Sequence, residues 1–199
     1  TGQDVCTTVE CVIEGVVQAI GHWVGGLQAN GGAIVAETSY WYLIAFIWTG
    51  ARWRYATIDD IPGNISINNV DDEGRAILHR YEASVAQKTL GVLLAMDGNH
   101  TEEVRYLRQK AVDLADCVRT SFLSRQDATY ALHRTIMKTL EYPMVATTMT
   151  KAQWEFIMVP ILAATLPRMG YVRRFPRDVV YTSESLCGLG ILHPWHNQH

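Results

Sequence analysis

The spacing of apolar residues changes at Asp97-Gly98-Asn99, and that change confines the chain to an α+β fold. Beyond it the period is helical. Val104, Leu107, Ala111, Leu114, Ala115 and Val118 fall on one face, which predicts a helix over 101–119. Thr101 is its expected cap, and Glu102-Glu103 suit its positive N-terminal end. Ser124 caps a second helix with Ala128, Ala131, Leu132, Ile136 and Leu140 inward, ended before Pro143. Thr150 opens a third, with Trp154, Ile157, Met158, Ile161 and Leu162 facing a core. Pro160 is expected to kink or split it. Helices on short loops make a bundle, and the tail from Pro167 reads as irregular.

Ahead of the change the pattern is mixed. Val5, Val9, Val12, Val16, Ile20, Trp23 and Leu27 form one stripe and predict a helix over 4–28, stopped by Asn30-Gly31-Gly32. The aromatic and β-branched run from Tyr40 to Trp48 predicts a strand buried on both faces. Thr49-Gly50 turns it into a returning strand at Arg52-Trp53-Arg54-Tyr55. Ile65-Ser66-Ile67 is a short strand that Ala76 to Tyr81 can pair with, and Leu90 to Ala95 is another. The chain therefore reads as residues 1–98, a helix plus a small antiparallel sheet, followed by residues 99–199, a helical bundle with an irregular tail.

Composition narrows function. At 199 residues and 48% apolar the chain can bury a core, but its longest apolar run, Tyr40 to Trp48, is too short to span a membrane. Cys6, Cys11, Cys117 and Cys187 have neither zinc nor disulfide-framework spacing, so free thiols inside the cell are expected. Two glycosylation-like triplets, at Asn64 and Asn99, are read as chance. The first residue is Thr1, which fits an excised product. Charge is uneven: 8 Lys/Arg face 15 Asp/Glu up to Val118, and 9 face 3 from Arg119 to Arg177. A nucleic-acid-facing surface and a solvated basic bundle both fit that asymmetry.

Four segments then resemble one family in order and spacing. Leu27-Gln28-Ala29-Asn30-Gly31-Gly32-Ala33 with Tyr40-Trp41-Tyr42-Leu43-Ile44 resembles the stretch after the catalytic hairpin of retrotransposon (non-LTR-type) reverse transcriptases. Thr89-Leu90-Gly91-Val92 with Asp97-Gly98-Asn99 resembles their primer-grip region. Lys138-Thr139-Leu140-Glu141-Tyr142-Pro143 with Ala146-Thr147-Thr148 resembles the following thumb. Gly188-Leu189-Gly190-Ile191 and the closing His193-Pro194-Trp195-His196-Asn197-Gln198 resemble its end. The resemblance implies a fragment of an RNA-directed DNA polymerase: the end of a palm (1–98) plus a thumb (99–199). In the intact parent nucleotidyl transfer would use Mg²⁺ held by upstream aspartates. The fragment itself is expected to hold no metal, to have no catalytic residue and to be inactive alone. Its implied partners are primer–template RNA or DNA, bound nonspecifically, and the remainder of the polymerase.

The site residues follow from the same resemblance. Leu90, Gly91 and Val92 would form the primer-grip turn, with an ordinary strand glycine as the plain alternative. Arg125, Arg134 and Lys138 would meet phosphates along a duplex, the last two sharing a helix face. Arg173, Arg174 and Arg177, interleaved with Tyr171 and Phe175, suit phosphate contact with base stacking, or a tail stapled by its aromatics. Thr57-Ile58-Asp59-Asp60 mimics the paired-aspartate signature, but Ile61-Pro62-Gly63 breaks the strand that motif needs, so it reads as a solvated loop, as does Asp71-Asp72-Glu73. Thr38 stands where the family usually has a proton-donating Lys. His193, His196 and His199 are spaced by threes, but Pro194 and the chain end argue against a rigid metal site. Two other readings remain: a stand-alone or domesticated α+β module binding nucleic acid or protein without enzymatic activity, and a nonfunctional translated pseudogene.

Overall fold

The computed structural model describes residues 3–68 and 75–198. The Asp71-Asp72-Glu73 run, His199 and the side chains of Val5 and Cys6 lie outside what it describes. Architecture is α+β, as the apolar pattern requires. The chain divides after Val85 into two compact units. That division precedes the Gly98 boundary expected from sequence, because the hairpin ending at Leu94 is bonded to the helices that follow it.

In the first unit, helix α1 spans Gln3–Ala29 and closes on Gly31, whose φ of 76° and the Gly32 N–H to Leu27 C=O bond (2.8 Å) form a left-handed helix stop. Short strands follow: β1 (Tyr40–Tyr42), β2 (Phe46–Trp48), β3 (Trp53–Tyr55), β4 (Ser66–Asn68), β5 (Arg75–Ile77) and β6 (His79–Tyr81). The hairpin expected from Thr49-Gly50 is present, with Phe46 opposite Tyr55 and Trp48 opposite Trp53. Ile67 opposes Ala76 in the β4–β5 pair, also as expected. The long Tyr40–Trp48 strand is not formed. It breaks at Leu43–Ala45, and β1 turns away to pair in parallel with β6, Tyr40 opposite His79. Nor is it buried on both faces: Phe46 and Trp48 are exposed.

The core of this unit is small, namely Ile65, Ile67 and Leu78, with Ile13, Ile20, Ile34 and Trp41 packed around it. This corrects the α1 stripe. Ile20 of the expected stripe does face the core, together with Ile13 seven residues before it, whereas Val12, Val16 and Trp23 of that stripe are exposed. A helix apolar on several faces offers more than one stripe, and the neighbouring strand, β4, selects which is used. Arg80 is also buried here, stacked over Trp41 at 5.0 Å and donating through Nη1 to the Ile61 carbonyl at 2.6 Å.

The second unit begins with β7 (Gln87–Thr89) and β8 (Val92–Leu94), a hairpin, so Leu90 is a turn residue and not the start of a strand. Helices α2 (Thr101–Thr120), α3 (Arg125–Tyr130), a π-helical stretch (Ala131–Ile136), α4 (Met137–Glu141) and α5 (Lys151–Arg168) form the bundle. Thr101 is the first residue of α2 and not its cap: His100 holds the N-cap position without a side-chain bond, and Asn99 Oδ1 accepts from the Thr101 N–H (3.0 Å) and hydroxyl (2.6 Å). Capping boxes open α3 (Ser124 with Asp127) and α5 (Thr150 with Gln153). The expected faces of α2 and α5 are buried, Leu114 excepted, which is half-buried.

Pro160 does not split α5, which runs unbroken through it. Proline removes the N–H that would satisfy the carbonyl four residues earlier, here Phe156. Arg108 of α2 donates to that carbonyl and stacks on the Phe156 ring at 4.5 Å. A second arginine, Arg168 of α5, donates to the Arg119 carbonyl near the end of α2. The two bonds advance together along both helices, so α2 and α5 run side by side in one direction.

The tail is less irregular than its sequence reads. It contains α6 (Arg177–Tyr181) and α7 (Pro194–Asn197), and buries Val180, Ile191, His193 and Pro194. Gln198 fastens it: Oε1 accepts from Met149 N–H (3.2 Å) and Trp154 Nε1 (3.0 Å), and Nε2 donates to the Met149 carbonyl. No helix among the described residues is long and apolar enough to cross a membrane.

Candidate nucleic-acid interface

The primer-grip-like residues lie at a tight reversal. Leu90 (φ 50°) and Gly91 (φ 87°) are both left-handed, the combination a two-residue type I′ hairpin turn demands. Glycine suits that backbone and leucine does not. The Leu90 side chain is 86% exposed, while Val92 is buried. Two bonds fix the hairpin to the bundle. Tyr142 donates its hydroxyl to the Leu90 carbonyl at 2.7 Å. The Leu93 N–H, on the outer side of β8, donates to Glu103 Oε2 at 2.7 Å. Glu103 is buried, and burial raises its pKa, opposed by the Leu93 N–H and by Lys110 and Lys88. Those two lysines flank the Tyr106 ring at 5.9 and 5.2 Å.

The basic helix residues divide. Arg125 and Arg134 line one open groove of about 600 Å³ with Gln126, Thr129, Tyr130, His133 and Glu184. In a regular α-helix nine steps of about 100° would put Arg134 on the side opposite Arg125. The π-helical stretch, with its wider i→i+5 winding, advances each residue less and swings Arg134 back toward Arg125. Arg125 leans on the Gly170 turn after α5: a Cβ there would lie 3.0 Å from its Cζ. Lys138 is not among the lining residues; it pairs with Glu141 at 2.6 Å. Arg125 and Arg134 thus share this groove, and Lys138 is engaged with Glu141. Arg173, Arg174 and Arg177 are exposed, and among the described residues none of them forms a salt bridge. Tyr171 and Phe175 contact each other at 4.9 Å, and Phe175 packs against the bundle core.

Sequence missed Tyr130, His133 and Glu184. The i, i+4, i+8 series Arg125, Thr129, His133 was a readable signal for the first two turns; the approach of Glu184 had none.

The aspartate decoy has a structural duty. Asp60 accepts from both Arg54 Nη1 (2.5 Å) and Nη2 (2.8 Å), and from Thr57 N–H (2.8 Å) and hydroxyl (2.7 Å). The Arg54 guanidinium, with Thr57, holds its carboxyl well below the usual range. Its carboxylate thus closes the turn that follows β3. Among the described residues no group of His, Cys, Asp or Glu is gathered to hold a metal. Thr38 donates to the Val35 carbonyl at 3.3 Å. His193 is buried with Nδ1 accepting the Trp195 N–H at 3.1 Å and Nε2 unpartnered.

Compared with known proteins, the chain matches no family model, no curated protein and no solved structure.

Proposed function

We propose that this chain is part of a retroelement RNA-directed DNA polymerase, the end of a palm followed by a thumb, and that it binds primer–template nonspecifically without catalysing transfer alone. What carries the reading is the β7–β8 hairpin. A strained, solvent-facing Leu90-Gly91 turn sits where the resemblance puts a primer-gripping loop, and Tyr142 of the thumb-like segment holds its backbone. The exposed Arg134, Arg173 and Arg174 supply sequence-independent phosphate contacts. The bare apolar surface of the first unit, including Trp23, Phe46, Trp48, Trp53 and Ile77, suits a palm that completes itself against further polymerase structure.

A second reading is a nucleic-acid- or protein-binding module without enzymatic activity. The self-contained bundle core, with its capped helices, favours it.

The test is binding of a labelled primer–template duplex at about 50 and 200 mM salt. Three phosphate contacts predict an affinity loss of roughly 40-fold between them. Absence of binding at the lower salt would refute the polymerase reading, and primer extension by the purified chain with Mg²⁺ and deoxynucleotides would refute its inactivity alone.

A further inference from the structure

The groove between the α3–π segment and Glu184 is more than a basic patch. Two guanidinium groups enter it from α3 and the π-helical stretch, and one of them, Arg125, is pre-set by the Gly170 turn. The φ of 92° at Gly170 and the Tyr171 N–H to Leu166 C=O bond (2.9 Å) fix that turn, so the guanidinium rests on a rigid stop. Tyr130 lines the same groove, 67% exposed, its ring offered to solvent instead of to the core. His133 and Gln126 add polar edges. Glu184 also lines the groove and places a negative charge there. The groove volume of about 600 Å³ falls in the range of small-ligand sites.

These groups sort ligands by chemistry. Paired guanidiniums favour phosphate. An exposed aromatic ring beside them favours the face of a base, and such stacking is indifferent to sequence. Glu184 repels a second phosphate, so the groove is not a continuous backbone track. It can instead accept a hydrogen bond from a base amino group. In a duplex both faces of each base are already covered by neighbours, which leaves the Tyr130 ring unused.

We propose that this groove binds one unpaired nucleotide of a single-stranded nucleic acid, its phosphate on Arg125 and Arg134 and its base on Tyr130. The proposal rests on the nucleic-acid reading above and adds a preference for single strands at this position. Its test uses the full chain with three probes: a single-stranded oligonucleotide, a blunt duplex and a free nucleoside monophosphate. Tyr130→Ala should weaken single-strand binding about tenfold. Tyr130→Phe should retain it, and duplex binding should be unchanged in both variants. Because Tyr130 is exposed, thermal unfolding should match the parent chain in each. Equal single-strand affinity of Tyr130→Ala and the parent overturns the proposal, as does a free mononucleotide binding more tightly than the strand. Duplex binding that persists with that result leaves the polymerase reading standing; loss of all nucleic-acid binding removes both.

Discussion

Replacing Leu90 by Asn should stabilise the second unit. An L-residue in the left-handed region costs roughly 1–2 kcal/mol, and Asn tolerates it far better. Leu90 sits there at φ 50°, with Gly91 beside it at φ 87°. Its side chain is 86% exposed, so its removal forfeits little packing. The anchoring bond from Tyr142 goes to the Leu90 carbonyl, which the substitution leaves in place. The new Asn-Gly pair is also the favoured sequence for a type I′ hairpin. Together these predict a gain of about 1 kcal/mol, or a rise of about 4 °C in the melting temperature of the bundle transition. Leu90→Gly should gain less, since glycine adds about 0.5–1 kcal/mol of unfolded-state entropy. Urea and thermal unfolding of the three chains read this directly. A lower melting temperature for Leu90→Asn would mean that the side chain packs or that the turn is of another type. If Leu90→Asn also binds primer–template less well, the strain is retained for contact.

Acid should loosen the tail. Burial lowers the pKa of His193, helped by His196 and Lys151 and opposed by Glu155. A lowered value means the neutral form is favoured when folded, so stability is full above about pH 6.5 and falls as pH drops through the folded value. Protonation also removes the Nδ1 acceptor that caps α7. Melting temperature should decline from pH 7.5 toward 5, and His193→Gln should flatten that decline; an unchanged slope would clear His193 of the effect. Glu103 has the opposite sign. Its raised pKa gives a contribution present below the ordinary Glu range and lost as pH rises through the folded value, so Glu103→Gln should remove that arm. Separately expressed, residues 86–199 should unfold cooperatively and residues 1–85 should not, because one core is extensive and the other rests on Ile65, Ile67 and Leu78. Sharp calorimetric transitions in both would contradict this.

Short-range features are legible in the residues themselves. Capping boxes at Ser124 and Thr150 close over three residues, and the Val104–Val118 face repeats within one helix, so their hydrogen bonds and burial are encoded where they occur. The Thr49-Gly50 hairpin is legible for the same reason. Folding settled which α1 stripe is buried, that β1 pairs in parallel with β6, and that Arg108 supplies the donor Pro160 withholds. It also put Arg134 and Arg125 on one groove and brought Glu184 to it. Each of these joins groups distant in the chain or alters the helical period itself, and residue spacing carries no record of a partner that arrives only on folding.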